Sequence, residues 1–191
     1  MRDVTVTVKG ITPYSASRPT GLEKTKSESH EEFDARIWRE KAHFDKDGEV
    51  FIPGVSFKLA LDEAASLMKE KIKGKGNQTY TGIIRTGSVA MSDMYIGVSK
   101  DELKPITIYA NLDGRRGGGT RGNRMFPIVP TWSGEVTFRL FNDELPEEVF
   151  ERYFHQAGLL TGVGRGRPVT GCPAGNGRFV PTGFAWGEST F

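Results

Sequence analysis

Cysteine is nearly absent from this chain. Cys172 is the only one, which excludes an intrachain disulfide and any cysteine-rich zinc site. Histidine is confined to His30, His43 and His155. No metal and no cofactor are expected. No stretch approaches the ~20 apolar residues of a membrane span, so no membrane association is expected. The start, Met1-Arg-Asp-Val-Thr-Val-Thr-Val8, alternates like a strand and not like a signal peptide. The expected location is the cytoplasm, or a host's cytoplasm if the protein is viral. A phosphate-binding lysine motif is also missing, because Lys75 stands in Gly-Lys-Gly-Asn without the Gly-Lys-Ser/Thr ending. Gly162-Val-Gly-Arg-Gly-Arg167 follows a helical pattern where a dinucleotide fingerprint must follow a strand, so a small-molecule substrate of that kind is not expected. Asp45 and Asp47 are turn formers before they are metal ligands. No acid, base and nucleophile converge, so no catalytic residues are assigned and the chain is read as a non-enzyme.

What is present is an ordinary globular composition with uneven charge. The 191 residues suffice for one well-buried core, and no linker, repeat or second core is visible, so residues 1–191 read as a single domain. The net charge of only +2 hides three basic clusters. These are Lys69-Lys71-Lys73-Lys75, Arg115-Arg116-Arg121-Arg124 and Arg165-Arg167-Arg178, each with glycine nearby. Acidic residues gather elsewhere, over 20–50 and 142–151. Such segregation suits a polyanion partner better than the total charge does.

The hydrophobic pattern predicts a strand over 3–9 and a polar loop from Pro13 to Ser27. Ser29 and Glu32 form a capping box before a short helix. Asp45-Lys-Asp-Gly48 predicts a turn in a hairpin over 41–52. Phe57, Leu61, Ala64, Met68 and Ile72 recur at helical spacing, which predicts a helix over 55–73 with Ser56 as its cap. Strands are expected at 82–91, 105–111 and 134–141. A second helix from Pro146 ends at Gly158, and a glycine-rich loop (161–177) leads to a last strand near 177–181. Without the insertions at 10–53 and 92–133, the order is βαββαβ. The fold class is α+β, ferredoxin-like (RRM-like), with a large hairpin insertion.

The candidate nucleic-acid-binding residues are Ser56, Lys58, Arg115, Arg116, Arg121, Arg124, Trp132, Arg165 and Arg167. Asp113-Gly-Arg-Arg-Gly-Gly-Gly-Thr-Arg-Gly-Asn-Arg124 is too glycine-rich to justify as packing, and its guanidinium forks match phosphate oxygens. The same holds for Arg165 and Arg167, whose loop would let backbone approach a ligand; the competing reading is a packed connection. Ser56 and Lys58 stand at a helix start, where free amides favour an anion. Trp132 is the preferred outward-facing aromatic for base stacking, among Trp38, Phe44, Tyr80 and Phe126. His43, beside Lys41 and Phe44, is the one side chain suited to RNA cleavage without a metal.

Phe51-Ile-Pro-Gly-Val-Ser-Phe-Lys-Leu-Ala-Leu61 and Gly162-Val-Gly-Arg-Gly-Arg…Gly175-Asn-Gly-Arg-Phe179 resemble two segments of the RAMP superfamily, RNA-binding proteins of CRISPR effector complexes. The first resembles that superfamily's Ile-Pro-Gly-Ser-Ser-Leu-Lys-Gly-Ala-Leu, with Val55 and Leu59 departing from it. The second resembles the carboxy-terminal glycine-rich loop. Among members, the backbone subunits that polymerise on a guide RNA are most similar, and the resemblance implies a "thumb" hairpin over 109–127. The chain also resembles small phage proteins carrying the same signatures. The function this implies is non-catalytic, largely sequence-independent binding of single-stranded DNA or RNA, cooperative among neighbouring copies, by a stand-alone, phage-encoded relative. The alternatives are a guide-RNA-binding backbone subunit of a CRISPR-type complex and a metal-independent endoribonuclease.

Overall fold

Val4, Val6 and Val8 alternate with Thr5 and Thr7, and in a strand that alternation puts all three valines on one face. In a computed structural model, which describes residues 1–112 and 119–189, all three are fully buried. They lie on β1 (Arg2–Gly10), a central strand of an antiparallel sheet. Its partners are β8 (Ser133–Leu140) and β9 (Phe179–Glu188), and β4 (Ser88–Ala90) completes the sheet beyond β8. The order β4-β8-β1-β9 is reached through two helical crossovers. One is α2 (Gly54–Met68), between β1 and β4; the other is α4 (Glu147–Gln156), between β8 and β9. This is the expected βαββαβ order with both helices against the apolar face.

Aromatic side chains fill the space between sheet and helices. Phe138 of β8 meets Phe150 and Phe154 of α4 edge-on, with centroids 5.6 and 5.5 Å apart. Phe57 of α2 meets Phe179 of β9 at 5.3 Å. These spacings and angles are the favourable ones for rings. The other sheet face is polar: Thr5 and Thr137 share a 3.0 Å hydroxyl bond, and Arg139 holds Asp3 through two 2.8 Å bonds.

The two expected insertions fold onto each other. Residues 10–53 supply β2 (Tyr14–Ser15), α1 (His30–Ile37) and β3 (Glu49–Ile52). Residues 92–133 supply β5 (Met94–Ser99), β6 (Lys104–Asn111) and β7 (Arg121–Val129). They combine into a sheet β2-β7-β6 and a pair β3-β5. The capping box at α1 forms as expected, with Glu32 N–H on Ser29 Oγ and Ser29 N–H on Glu32 Oε2. The 41–52 hairpin forms around the Asp45–Gly48 turn.

Four local expectations differ. Residues 82–91 are not one strand: Tyr80–Gly87 is helix α3 and only Ser88–Ala90 is strand. Its β-branched run favours a strand, but Ile84 is buried and Thr81 Oγ1 donates to Ala65 of α2, so packing overrides propensity. Helix α2 stops at Met68 and not at 73, because Lys69 turns left-handed at φ 48°. The loop expected from Pro13 begins with buried Tyr14, Ser15 and Ala16. The last strand runs on to Glu188, because β1 offers it a full-length edge.

Candidate nucleic-acid interface

The glycine-rich loop after α4 comes back against β2. Gly164 takes φ 78°, and a Cβ there would stand 2.5 Å from the Ser15 carbonyl oxygen and from the Tyr14 ring. Only glycine permits that approach. It lets Arg165 N–H donate to Ser15 O at 2.7 Å and fixes where the Arg165 side chain leaves the backbone. Arg165 lines an open pocket of about 250 Å3 with Tyr14, Ala16, Ser17, His43, Ser56 and Gly164. Four segments that are remote in sequence meet there. Burial pushes the Tyr14 hydroxyl above its usual range, so it stays a neutral donor. Burial, aided by Arg18 and opposed by Asp93, holds the His43 imidazole below its usual range.

Behind the pocket, three cations surround one ring. Arg165 lies 3.9 Å from the Phe126 centroid, Lys41 Nζ 4.4 Å and Arg124 5.3 Å. One carboxylate serves two of them: Asp34 takes Lys41 Nζ at 2.8 Å and Arg124 Nε at 3.0 Å, and also the Met125 amide at 3.1 Å. Burial works to raise the Asp34 carboxyl, but the Lys41 and Arg124 bonds outweigh it and hold the group below the usual carboxylate range. Arg165 has no carboxylate partner among the described residues, and burial, with repulsion from Arg124, depresses its pKa while Cys172 opposes. The cluster therefore keeps an excess of positive charge, with Arg165 as its face toward the pocket.

Of the nine expected residues, Ser56 and Arg165 meet in this pocket, and Arg124 lies one ring behind it. Arg124 is committed to Asp34 and is not a free phosphate contact. Lys58 lies away from this pocket: its ammonium is held by Asp62 at 2.5 Å and by the Ile84 and Arg85 carbonyls, where it closes the C-terminal end of α3. The helix-start reading also changes. Ser56 makes no capping bond, and the Gly54 amide is taken by Asp93 Oδ1 at 2.9 Å, so the α2 N-terminus already has its anion. Arg167 forms a fork-to-fork pair with Glu63 at 2.6 and 3.0 Å. Trp132 does not face outward: it is 4% exposed, its Nε1–H donates to Thr12 O at 2.9 Å, and its ring lies over Gly10. Arg121 is exposed beside Tyr109, whose ring it covers at 5.0 Å. Arg115 and Arg116 lie outside the described residues.

Sequence reading missed Asp34, Lys41, Asp93 and Tyr14. Asp34 and Lys41 sit 7 residues apart around a helix end, a spacing no motif marks. Phe126 was visible as an aromatic near the arginines, but nothing in sequence shows it as their common ring.

No family model and no curated protein matches the sequence. Among solved structures, the chain is similar to one in the type III-B Cmr-beta complex bound to cognate target RNA, with a TM-score of 0.53 and 16% identity, covering 99% of this chain and 61% of that one. It also aligns with Cmr6 from Pyrococcus furiosus, with a TM-score of 0.48 and 16% identity, over 95% of this chain and 99% of that one. The chain thus spans about 61% of the length of the first of these. That likeness shows a shared fold. No helix among the described residues is long and apolar enough to cross a membrane.

Proposed function

We propose that the protein binds the backbone of single-stranded RNA, without cutting it, at the pocket that joins Arg165 to Ser56. The observation that carries this reading is Arg165, which lines an open pocket and whose guanidinium, stacked on Phe126, has no carboxylate partner among the described residues. A phosphate there gains a charged donor from Arg165, hydroxyls from Ser56 and Ser17, and the field of Lys41 and Arg124 behind. Arg121, exposed on the β6–β7 hairpin, supplies a second contact. The solved chain of similar fold stands in a complex with target RNA, which supports RNA over DNA as the strand. The resemblance to small phage proteins supports a stand-alone role, and the resemblance to backbone subunits supports copies following one another along the strand.

The test is a titration of labelled single-stranded RNA, single-stranded DNA and duplex with the parent and with Arg165→Gln. Tight binding to single strands that weakens in the variant is expected. Equal affinity of parent and variant for every strand overturns the reading. Isotherms on strands of increasing length test whether copies cooperate.

His43 in the same pocket favours a second reading, RNA cleavage without a metal. Held largely neutral at pH 7, it can accept a proton from a ribose 2′-hydroxyl. Strand scission in the same mixtures, lost in His43→Ala, would replace the first reading with this one.

A further inference from the structure

The outer face of the β3–β5 pair carries aromatics where an exposed sheet face ordinarily carries polar groups. Phe51 of β3 stands directly opposite Tyr95 of β5, while the neighbouring pair, Ile52 and Met94, points into the core. His43 joins the same face, since Phe51 N–H donates to His43 O at 3.0 Å. The three rings form a continuous row, with centroids 5.8 Å apart from His43 to Phe51 and 5.6 Å from Phe51 to Tyr95. Tyr95 is 44% exposed. The row starts inside the Arg165 pocket, because His43 is part of its lining.

Charge changes sign along this row. At the His43 end stand Arg165 and Arg18. At the other end, the carboxylates of Asp45 and Glu49 act on the Tyr95 hydroxyl, together with Asp93, which acts on His43 as well. Phosphate is attracted to the first end and repelled from the second. A flat, uncharged ring fits the second end, and carboxylates there can accept hydrogen bonds from an exocyclic amino group, as they do from cytosine N4. A nucleotide has this polarity built in, with its charge at one end and its flat ring at the other.

We infer that Phe51 and Tyr95, continued from His43, are a stacking platform for the base of the nucleotide whose phosphate lies at Arg165 and Ser56. This rests on the RNA-binding reading above and adds the base to it. Stacking on an aromatic is tolerant of sequence, because every base has a π-face, and the carboxylates bias the platform toward bases that carry an amino group.

Two strands of equal length separate the terms: oligocytidylate, and a ribose-phosphate strand without bases. Affinities of the parent, Tyr95→Ala, Tyr95→Phe and Arg165→Gln are measured on both. Tyr95→Ala is expected to weaken oligocytidylate about five- to 150-fold, the worth of one stacked base. It should leave the abasic strand unchanged, and Tyr95→Phe should bind like the parent. Arg165→Gln should weaken both strands. If Tyr95→Ala binds oligocytidylate like the parent while Arg165→Gln weakens both, the platform is overturned and the phosphate pocket stands. Equal weakening of both strands by Tyr95→Ala also overturns the platform, because the residue then acts through the fold. A parent that binds neither strand overturns platform and pocket together.

Discussion

Asp34 on α1 and Arg124 on β7 are joined by a 3.0 Å bond from guanidinium Nε to carboxylate Oδ2, with the carboxylate side chain only 5% exposed. The bond ties the two insertions to each other. The same carboxylate also holds Lys41, so the positive charge behind the Arg165 pocket depends on this one anion for its position.

Loss of that anion should be costly. Asp34→Ala leaves two cations near an apolar ring without their partner, and breaking such a buried pair typically costs about 3–5 kcal/mol. Urea unfolding of the variant should show that loss. A midpoint equal to the parent's would mean that the cluster is not buried in solution.

The same carboxylate sets an acid limit. Its pKa is depressed in the folded protein, so its contribution is present above the unfolded value of about 3.9 and is lost as pH falls through the lower folded value. Stability of the parent should therefore fall on acidification below about pH 4. The Asp34→Asn variant, less stable at neutral pH, should show a shallower acid limb. Parallel curves would remove Asp34 from the account.

Salt dependence tests the pocket independently of sequence. Log affinity for single-stranded RNA should fall linearly with log salt, with a slope near −0.7 per phosphate neutralised. Arg165→Gln should flatten that slope by about one such step. Gly164→Ala should act in the same direction, because its Cβ would meet Ser15 O at 2.5 Å and displace the neighbouring arginine. An unchanged slope in both variants would place the phosphate elsewhere.

The hairpin arginines should divide into two kinds. Arg121 is exposed, so Arg121→Ala should leave the melting temperature unchanged and weaken RNA binding. Arg124→Ala should lower stability by about 1.5–3 kcal/mol, the range for a hydrogen bond to a charged group, through Asp34. A variant of Arg124 that melts like the parent would return that residue to the list of free phosphate contacts.

Trp132 should behave as core. Trp132→Phe removes the Nε1–H donor from Thr12 O and should cost about 1–3 kcal/mol for the carbonyl left unpaired. RNA affinity, measured where the variant is still folded, should match the parent's. A stability like the parent's together with weakened binding would restore the outward stacking role.

The sequence by itself determined the scaffold. Alternating valines, the helical spacing of Phe57, Leu61 and Ala64, and the alternation over 134–141 each have one low-energy burial pattern. Together they dictate the βαββαβ order and leave 10–53 and 92–133 as insertions. Local rules also sufficed at Ser29–Glu32 and at the Asp45–Gly48 turn, where the bonding partners are near neighbours in the chain. The partners of the charged groups were decided only in three dimensions. Arg165 and Arg167 are two residues apart in one loop, yet Arg167 is paired with Glu63 and Arg165 faces an open pocket. Ser56 and Lys58 share one turn of α2, yet one lines the pocket and the other closes α3. A charged side chain is satisfied by whatever packing brings within about 3 Å: Asp62 is only 4 positions from Lys58, but the Ile84 carbonyl it also holds is 26 away, and the carboxylate paired with Arg167 is 104 away. Composition and spacing can therefore show that cations are present, but only the folded chain separates those bound to its own carboxylates from those left for a ligand.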